Sequence, residues 1–220
     1  SFNANEHERQ RFADTARAVR QHTLKQVAAN AMSQPLSQLI AAVGLSMIVT
    51  MALYQGRVSG TTPGEFAAFV AALLQLMSRA RHLAEVAAWN HAVHDAMHAE
   101  LTAGRLPILL GGDHCLGIGS ISAVARHCRE AGKKLRVLWL DAHADFNTSA
   151  LTPSGNIHGM PVACLCGHGP RELTEIGGQV PAISPKWNRQ IGIRSVDEGE
   201  KRFVHEQDLE VFDMRYIDEM

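Results

Sequence analysis

The 220-residue chain is poor in aromatics, at 5%, and has no excess of either charge: 21 Lys and Arg stand against 22 Asp and Glu. Near-neutrality leaves no basic footprint, so no nucleic acid is expected as a partner. Cysteine is scarce. Cys115, Cys128, Cys164 and Cys166 form no framework of the secreted kind, and the Cys-x-Cys pair at 164 and 166 has no second pair to complete a zinc site. These read as core thiols, which fits a reduced, intracellular setting. The first residues carry Glu6, Glu8, Arg9 and Arg11 in place of an apolar run, so no signal peptide is expected there. The glycine loop GxxxxGK[ST] occurs nowhere, which argues against ATP hydrolysis by this chain. What the chain has in quantity is apolar material, 46% of its residues, ample for a core.

That material is unevenly spread. Residues 1–33 are charged and helix-favouring, with Pro35 at their end. PLSQLIAAVGLSMIVTMALY, residues 35–54, then gives 20 residues without a charge, the length that a membrane-spanning helix needs. Its Ala, Gly and Ser suit close helix packing in lipid. A new helix is predicted to start at Thr62, with Thr62 as N-cap, Pro63 as the first helical residue and Glu65 closing a capping box. FAAFVAALLQLM, residues 66–77, is apolar all round and ends before Arg79 and Arg81. An all-α, membrane-type helical hairpin is therefore expected over residues 1–80, with membrane contact through residues 35–77. A buried hairpin in a soluble bundle is the alternative.

FNANEHERQRF, KQVAANAMSQPLSQLIAA and TTPGEFAAFVAALLQLM together resemble the last two transmembrane helices of lipid-exporting ABC transporters, over residues 2–78. The resemblance implies a cytoplasmic helix extension followed by two spans, and no catalytic chemistry.

From residue 81 to 220 the texture changes to alternating helix and strand. Residues 82–104 read as an amphipathic helix ended by Gly104, and residues 117–134 as another. LPILL (106–110), LRVLWL (135–140), RQIGIRS (189–195) and LEVFDM (209–214) read as strands. Apolar strands separated by helices predict an α/β fold with a parallel sheet. In such sheets ligands gather where strands end at their carboxyl edge. Directly after LRVLWL come Asp141, His143 and Asp145, spaced by two so that an extended backbone would project them to one side. His114 follows LPILL in the same way. Two imidazoles and two carboxylates suit a harder ion such as manganese better than a thiolate zinc site. A helix cap at Asp141 and a turn residue at His114 are the plainer readings. His91, His94 and His98 share a helix face, but no acidic partner follows in the HExxH sense, and they read as solvated or interfacial. Asp113 is expected to orient the loop that carries His114.

GGDHCLGIGS, WLDAHADFN, TPSGNIHGMP and IGIRSVDEGE match, in order and spacing, the signatures of the ureohydrolases, and those of the arginase family in particular. The resemblance covers residues 83–220 and implies an incomplete three-layer parallel sheet. It implies two Mn2+ ions, with His114 and Asp145 on one, His143 on the other and Asp141 between them. His158 resembles the histidine that acts as acid or proton shuttle. His158 and Asp145 are thus the catalytic candidates. Asn147, Thr152, Ser154 and Asn156 match positions that hold a substrate α-carboxylate, and Asp197 and Glu200 those that face its α-amino group. Ser195 stands where arginases commonly have aspartate, and Glu198 where they have proline.

The implied reaction is cleavage of L-arginine to L-ornithine and urea by a metal-bridging hydroxide, in the setting of arginine metabolism and the urea cycle. The resemblance also implies a cytoplasmic location for this part and assembly into homo-oligomers. Two further aspartate ligands and a guanidinium-facing glutamate belong to the pattern and are not found among these 220 residues. A fusion or fragment with weak or absent activity on its own is therefore expected. A catalytically dead metal-binding module on the same fold and a membrane-domain fragment of an exporter are the alternatives.

Overall fold

The computed structural model describes residues 43, 44, 46–51, 54, 56 and 62–219. The charged N-terminal stretch and more than half of the uncharged run at 35–54 lie outside the described residues, and with them most of the transporter-like segment. Among the described residues no helix is long and apolar enough to cross a membrane. The membrane-type hairpin therefore finds no support. The chain divides into two compact units, of which the second is Met77–Met220.

Helix α1, Pro63–Thr102, starts as its sequence dictates. The Thr62 N–H donates to Glu65 Oε2 at 2.8 Å, and the Glu65 N–H donates to Thr62 Oγ1 at 3.3 Å. These bonds satisfy two amides that a helix start leaves unpaired, and the Thr62 N–H and hydroxyl, both donating to the Glu65 carboxyl, hold it below its ordinary pKa. Two helices, at 66–77 and 82–104, were expected here; one continuous helix is found. Arg79 and Arg81 are both exposed on it, and Ser78–His82 contains no Gly or Pro to stop it. The exit is as expected: Gly104 takes φ 74°, and the N–H groups of Gly104 and Arg105 cap the carbonyls of Leu101 and Glu100.

Helix α2, Gly117–Glu130, crosses α1 at very short range. A Cβ on Gly119 would stand 2.2 Å from the Asn90 carbonyl oxygen, so only glycine fits. The buried Asn90 fastens the contact by accepting the Gly119 N–H at 2.7 Å and donating to the Val86 carbonyl at 3.0 Å.

Three strands form one all-parallel sheet in the order β1 (Val137–Leu140), β2 (Asn188–Ile193), β3 (Glu210–Asp213). Val137 pairs with Asn188 and Leu140 with Ile191. Three short helices, α3 (Pro161–Leu165), α4 (Arg171–Thr174) and α6 (Met214–Asp218), and α5 (Glu198–Glu206) make up the rest. Val137 and Trp139 point into a core shared with Ala125, Phe146, Val162, Leu165, Ile193 and Val204. Leu138 and Leu140, on the opposite face of β1, are exposed, so on β1 the expected three-layer packing is seen on one side only.

LPILL is not a strand. Leu106, Ile108 and Leu110 are 87, 79 and 90% exposed. A short apolar run becomes a strand only when a neighbour completes its ladder of hydrogen bonds, and among the described residues none pairs with it.

Candidate metal centre and adjoining cavity

The apolar strand β1 delivers its polar continuation to the sheet's carboxyl edge. The ladder with β2 runs on past Leu140: the Asp141 N–H donates to the Ile191 carbonyl at 3.2 Å, and Arg194 and Ser195 donate to the Ala142 carbonyl. His143 bridges Ser195 in parallel register. The chain then turns. Asp145 adopts φ 49°, a backbone conformation disfavoured for a side chain other than glycine. It is held there because its carbonyl accepts the N–H of Val162 at 3.0 Å, inside the first turn of α3. Strain of this kind collects at functional sites. The extended projection that spacing by two predicts is thus replaced at Asp145 by a left-handed turn.

His114 arrives from the other side, on the 3-10 turn His114–Leu116. Asp113 caps that turn by accepting the Cys115 N–H at 2.9 Å, which orients the loop. The His114 ring stacks on Trp139, with centroids 4.5 Å apart. The buried strand residue is therefore the platform for the imidazole.

One donor atom from each of His114, Asp141 and Asp145 lies within 4.8 Å of the others. His114 Nδ1 is 3.0 Å from Asp141 Oδ2 and 2.8 Å from Asp145 Oδ2. Yet Asp145 Oδ2 is buried and accepts no hydrogen bond. His143 Nδ1 reaches the other Asp141 oxygen at 3.4 Å. Burial, joined by the Asp141 and Glu200 charges and opposed by the two histidines, pushes the Asp145 carboxyl up to about 6. An orphaned buried carboxylate oxygen, a second carboxylate and an imidazole nitrogen converging on one point fit a divalent cation, and oxygen with imidazole nitrogen suits manganese. His94 and His98 do not form a comparable group. They stack at 5.9 Å, and His98 Nε2 meets Glu130 Oε2 at 2.9 Å across α1 and α2.

A cavity of about 270 Å3 opens beside this centre, lined by His143, Asp145, Asn147, Thr152, Ser154, His158, Asp197 and Glu200 among others. His114, Asp141 and Asn156 are not part of its wall. Ser195, at the position of a family aspartate, is. The exposed His158 sits on the turn Ile157–Gly159. Asn147 is buried and donates to Asp197 Oδ2 at 3.0 Å. Thr152 Oγ1 accepts the Gly155 N–H and Ser154 Oγ the Asn156 N–H, and the two hydroxyls meet each other at 3.4 Å, which leaves one hydroxyl proton free to face a ligand. Asp197 and Glu200 form the capping box of α5. Glu200 is buried and accepts the N–H groups of Phe146 at 2.8 Å and Asp197 at 3.3 Å; burial raises its pKa against those two bonds. Its carboxylate thus ties the metal-side loop to α5 while lining the cavity.

Sequence reasoning missed Trp139 as a platform, Asn90 as a clamp and Gln190, buried in β2, which donates to the Ala144 carbonyl beside the centre. Asn90 and Gln190 had a readable signal: each is an amide at a position whose spacing puts it on a buried face.

The arginase family model matches residues 61–220. It begins inside the segment likened to transporter helices, so for residues 61–78 the transporter reading gives way. The arginase of Bacillus caldovelox is 44% identical over 143 residues, which are 65% of this chain and 46% of that protein. Its solved structure matches with a TM-score of 0.60 over 63% of this chain and 45% of that one. The Entamoeba histolytica arginase, solved in complex with L-ornithine, is 38% identical with a TM-score of 0.58, over 63% and 46% of the two chains. The chain spans about half the length of the curated relatives it matches. Its fold, its donor cluster and a family match over most of its length agree: the chain belongs to the arginase family.

Proposed function

We propose that the protein is an arginase-type hydrolase that cleaves L-arginine to L-ornithine and urea with two Mn2+ ions. The observation that carries this is the convergence of His114, Asp141 and Asp145 at the carboxyl edge of the sheet. His114 and Asp145 would hold one ion, His143 the other, with Asp141 shared between them. Ions bound there supply a water of lowered pKa, a strong nucleophile toward the resonance-stabilised guanidinium. The chain's own residues do the rest. Burial fixes Asp145 and the Trp139 platform orients His114, which limits the reorganisation of those two donors during the reaction. His158, at the cavity wall, would give a proton to the departing amine. The hydroxyls of Thr152 and Ser154, with Asn147, would face the α-carboxylate end, and Asn156, outside the cavity wall, would act only through the loop it shares with Ser154. Asp197, anchored by Asn147, and Glu200 face the α-amino group. Holding both ends orients the guanidinium toward the ligand cluster. The complex of the Entamoeba enzyme with L-ornithine supports an amino-acid product.

The test is Mn2+ titration of residues 1–220, followed by loss of the free-ion electron paramagnetic resonance signal. Wild type should take up Mn2+. Asp141→Asn should weaken uptake by more than the roughly 10–100-fold that an outer partner costs. Equal uptake by wild type, Asp141→Asn and His114→Ala would refute the assignment. Uptake without urea release from any guanidino substrate would leave a metal-binding module in its place.

A further inference from the structure

The left-handed turn at Asp145 is held on both sides. The peptide after it is fixed at both ends: its carbonyl accepts the Val162 N–H at 3.0 Å, and the Phe146 N–H donates to Glu200 Oε1 at 2.8 Å. The peptide before it is held by Gln190, whose Nε2 donates to the Ala144 carbonyl. Together the two planes fix the backbone at φ 49°, and with it the direction of the Asp145 side chain.

Gln190 is wholly buried, in register with Trp139 across the β1–β2 ladder and therefore on the same face. A carbonyl oxygen can only accept, so the amide turns its nitrogen to Ala144. Its own Oε1 is then left buried without a donor among the described residues. A half-satisfied amide is unfavourable in a core, where Leu or Met would pack without that cost. Packing does not explain a glutamine here; the bond to Ala144 does. The Trp139–Gln190 rung thus supports two donors at once. Trp139 lies against the His114 ring, and Gln190 holds the peptide that leads into Asp145, whose Oδ2 is 2.8 Å from His114 Nδ1.

We infer that Gln190 is a positioning residue for the metal centre, setting the Asp145 carboxylate toward His114 through the Ala144 carbonyl. The inference rests on the arginase-type reading of the donor cluster and adds a support from a strand that carries none of the ligands. Fully buried, Gln190 touches neither ion nor substrate. Its loss is felt as weaker and less ordered binding of Mn2+ at His114 and Asp145.

The experiment is Mn2+ titration of the full chain by electron paramagnetic resonance, for wild type, Gln190→Met, Gln190→Asn and Asn188→Leu. The low-temperature spectrum of the bound ion, which reports ligand geometry, is the second readout. Gln190→Met keeps the length and loses the donor, whereas Gln190→Asn keeps the amide and stops one methylene short. Asn188→Leu alters the same buried face two residues along β2, at a side chain that bonds nothing among the described residues. Both Gln190 variants should bind Mn2+ about 10-fold more weakly and change the bound spectrum, while Asn188→Leu matches wild type in both readouts. If the Gln190 variants keep wild-type affinity and spectrum while Asp141→Asn loses the ion, the positioning role is wrong and the metal reading stands. If wild type takes up no Mn2+, both fall. A loss shared equally by Asn188→Leu would be an effect of core packing and overturns the inference. Unfolding of both Gln190 variants, read by circular dichroism, overturns it as well.

Discussion

Asp145 shows how much one residue can carry. It follows the apolar strand β1 by five positions, takes a left-handed backbone, loses most of its water and points an unbonded oxygen at His114. Each feature is unfavourable alone; a divalent cation at the cluster would offset the charge and use the oxygen. That this residue is a potential ligand was legible, because Asp141, His143 and Asp145 are close in sequence and follow a strand. That it bends away from the strand direction was not, because the bend depends on amides of α3 donating to its carbonyl. The cysteines make the opposite case, with no chemistry to perform. Burial pushes Cys164 and Cys166 up to about 12, and for Cys166 the neighbouring thiol adds to it. The raised value keeps both as neutral thiols at pH 8, where nucleophilic thiolate would be needed. Iodoacetamide at pH 8 should therefore spare Cys164 and Cys166 in the folded protein, modify the half-buried Cys128 first, and reach all four in urea, as peptide mass mapping would record.

Among elements, the contact between α1 and α2 sets the position of His114, since the turn bearing His114 leads straight into α2. The contact depends on Gly119 and Asn90. In an exposed helix a Gly→Ala change stabilises by about 1 kcal/mol. Here the sign should reverse: Gly119→Ala places a methyl 2.2 Å from a backbone oxygen and should destabilise by about 3 kcal/mol, read as a lower urea midpoint. The start of α1 was legible to the residue, because capping needs only Thr62 and Glu65 three positions apart. Its continuity through Arg79 was not. Charged residues end an apolar run in a sequence, yet they interrupt a helix only if its backbone or its packed face suffers, and both arginines are exposed on α1. LPILL teaches the same lesson in reverse. It matches LRVLWL in apolar character, but a strand is a pairing between two segments, and among the described residues LRVLWL has a neighbour where LPILL has none.

At the scale of the molecule, the parallel sheet, the helix on its face and the ligand cluster at its carboxyl edge form one argument. Strands that run in one direction end together, and their first polar residues meet there. If a cation completes that edge, it stabilises the folded chain by binding it and not the unfolded one. At an Mn2+ concentration 100-fold above Kd the gain is about 2.7 kcal/mol. Thermal unfolding should shift upward with added Mn2+, return to its starting point with excess EDTA, and show no shift in Asp141→Asn. The sequence by itself determined the family signatures, the strand-then-ligand order of Leu135–Asp145 and the caps of α1, because each depends on residues within a few positions of one another. Only the tertiary structure decided that His114 descends on Asp141 and Asp145, that Trp139 carries it, and that Gln190 holds the Ala144 carbonyl. Those partners are 25 to 46 positions apart, and what joins residues so distant is packing, which no local spacing encodes.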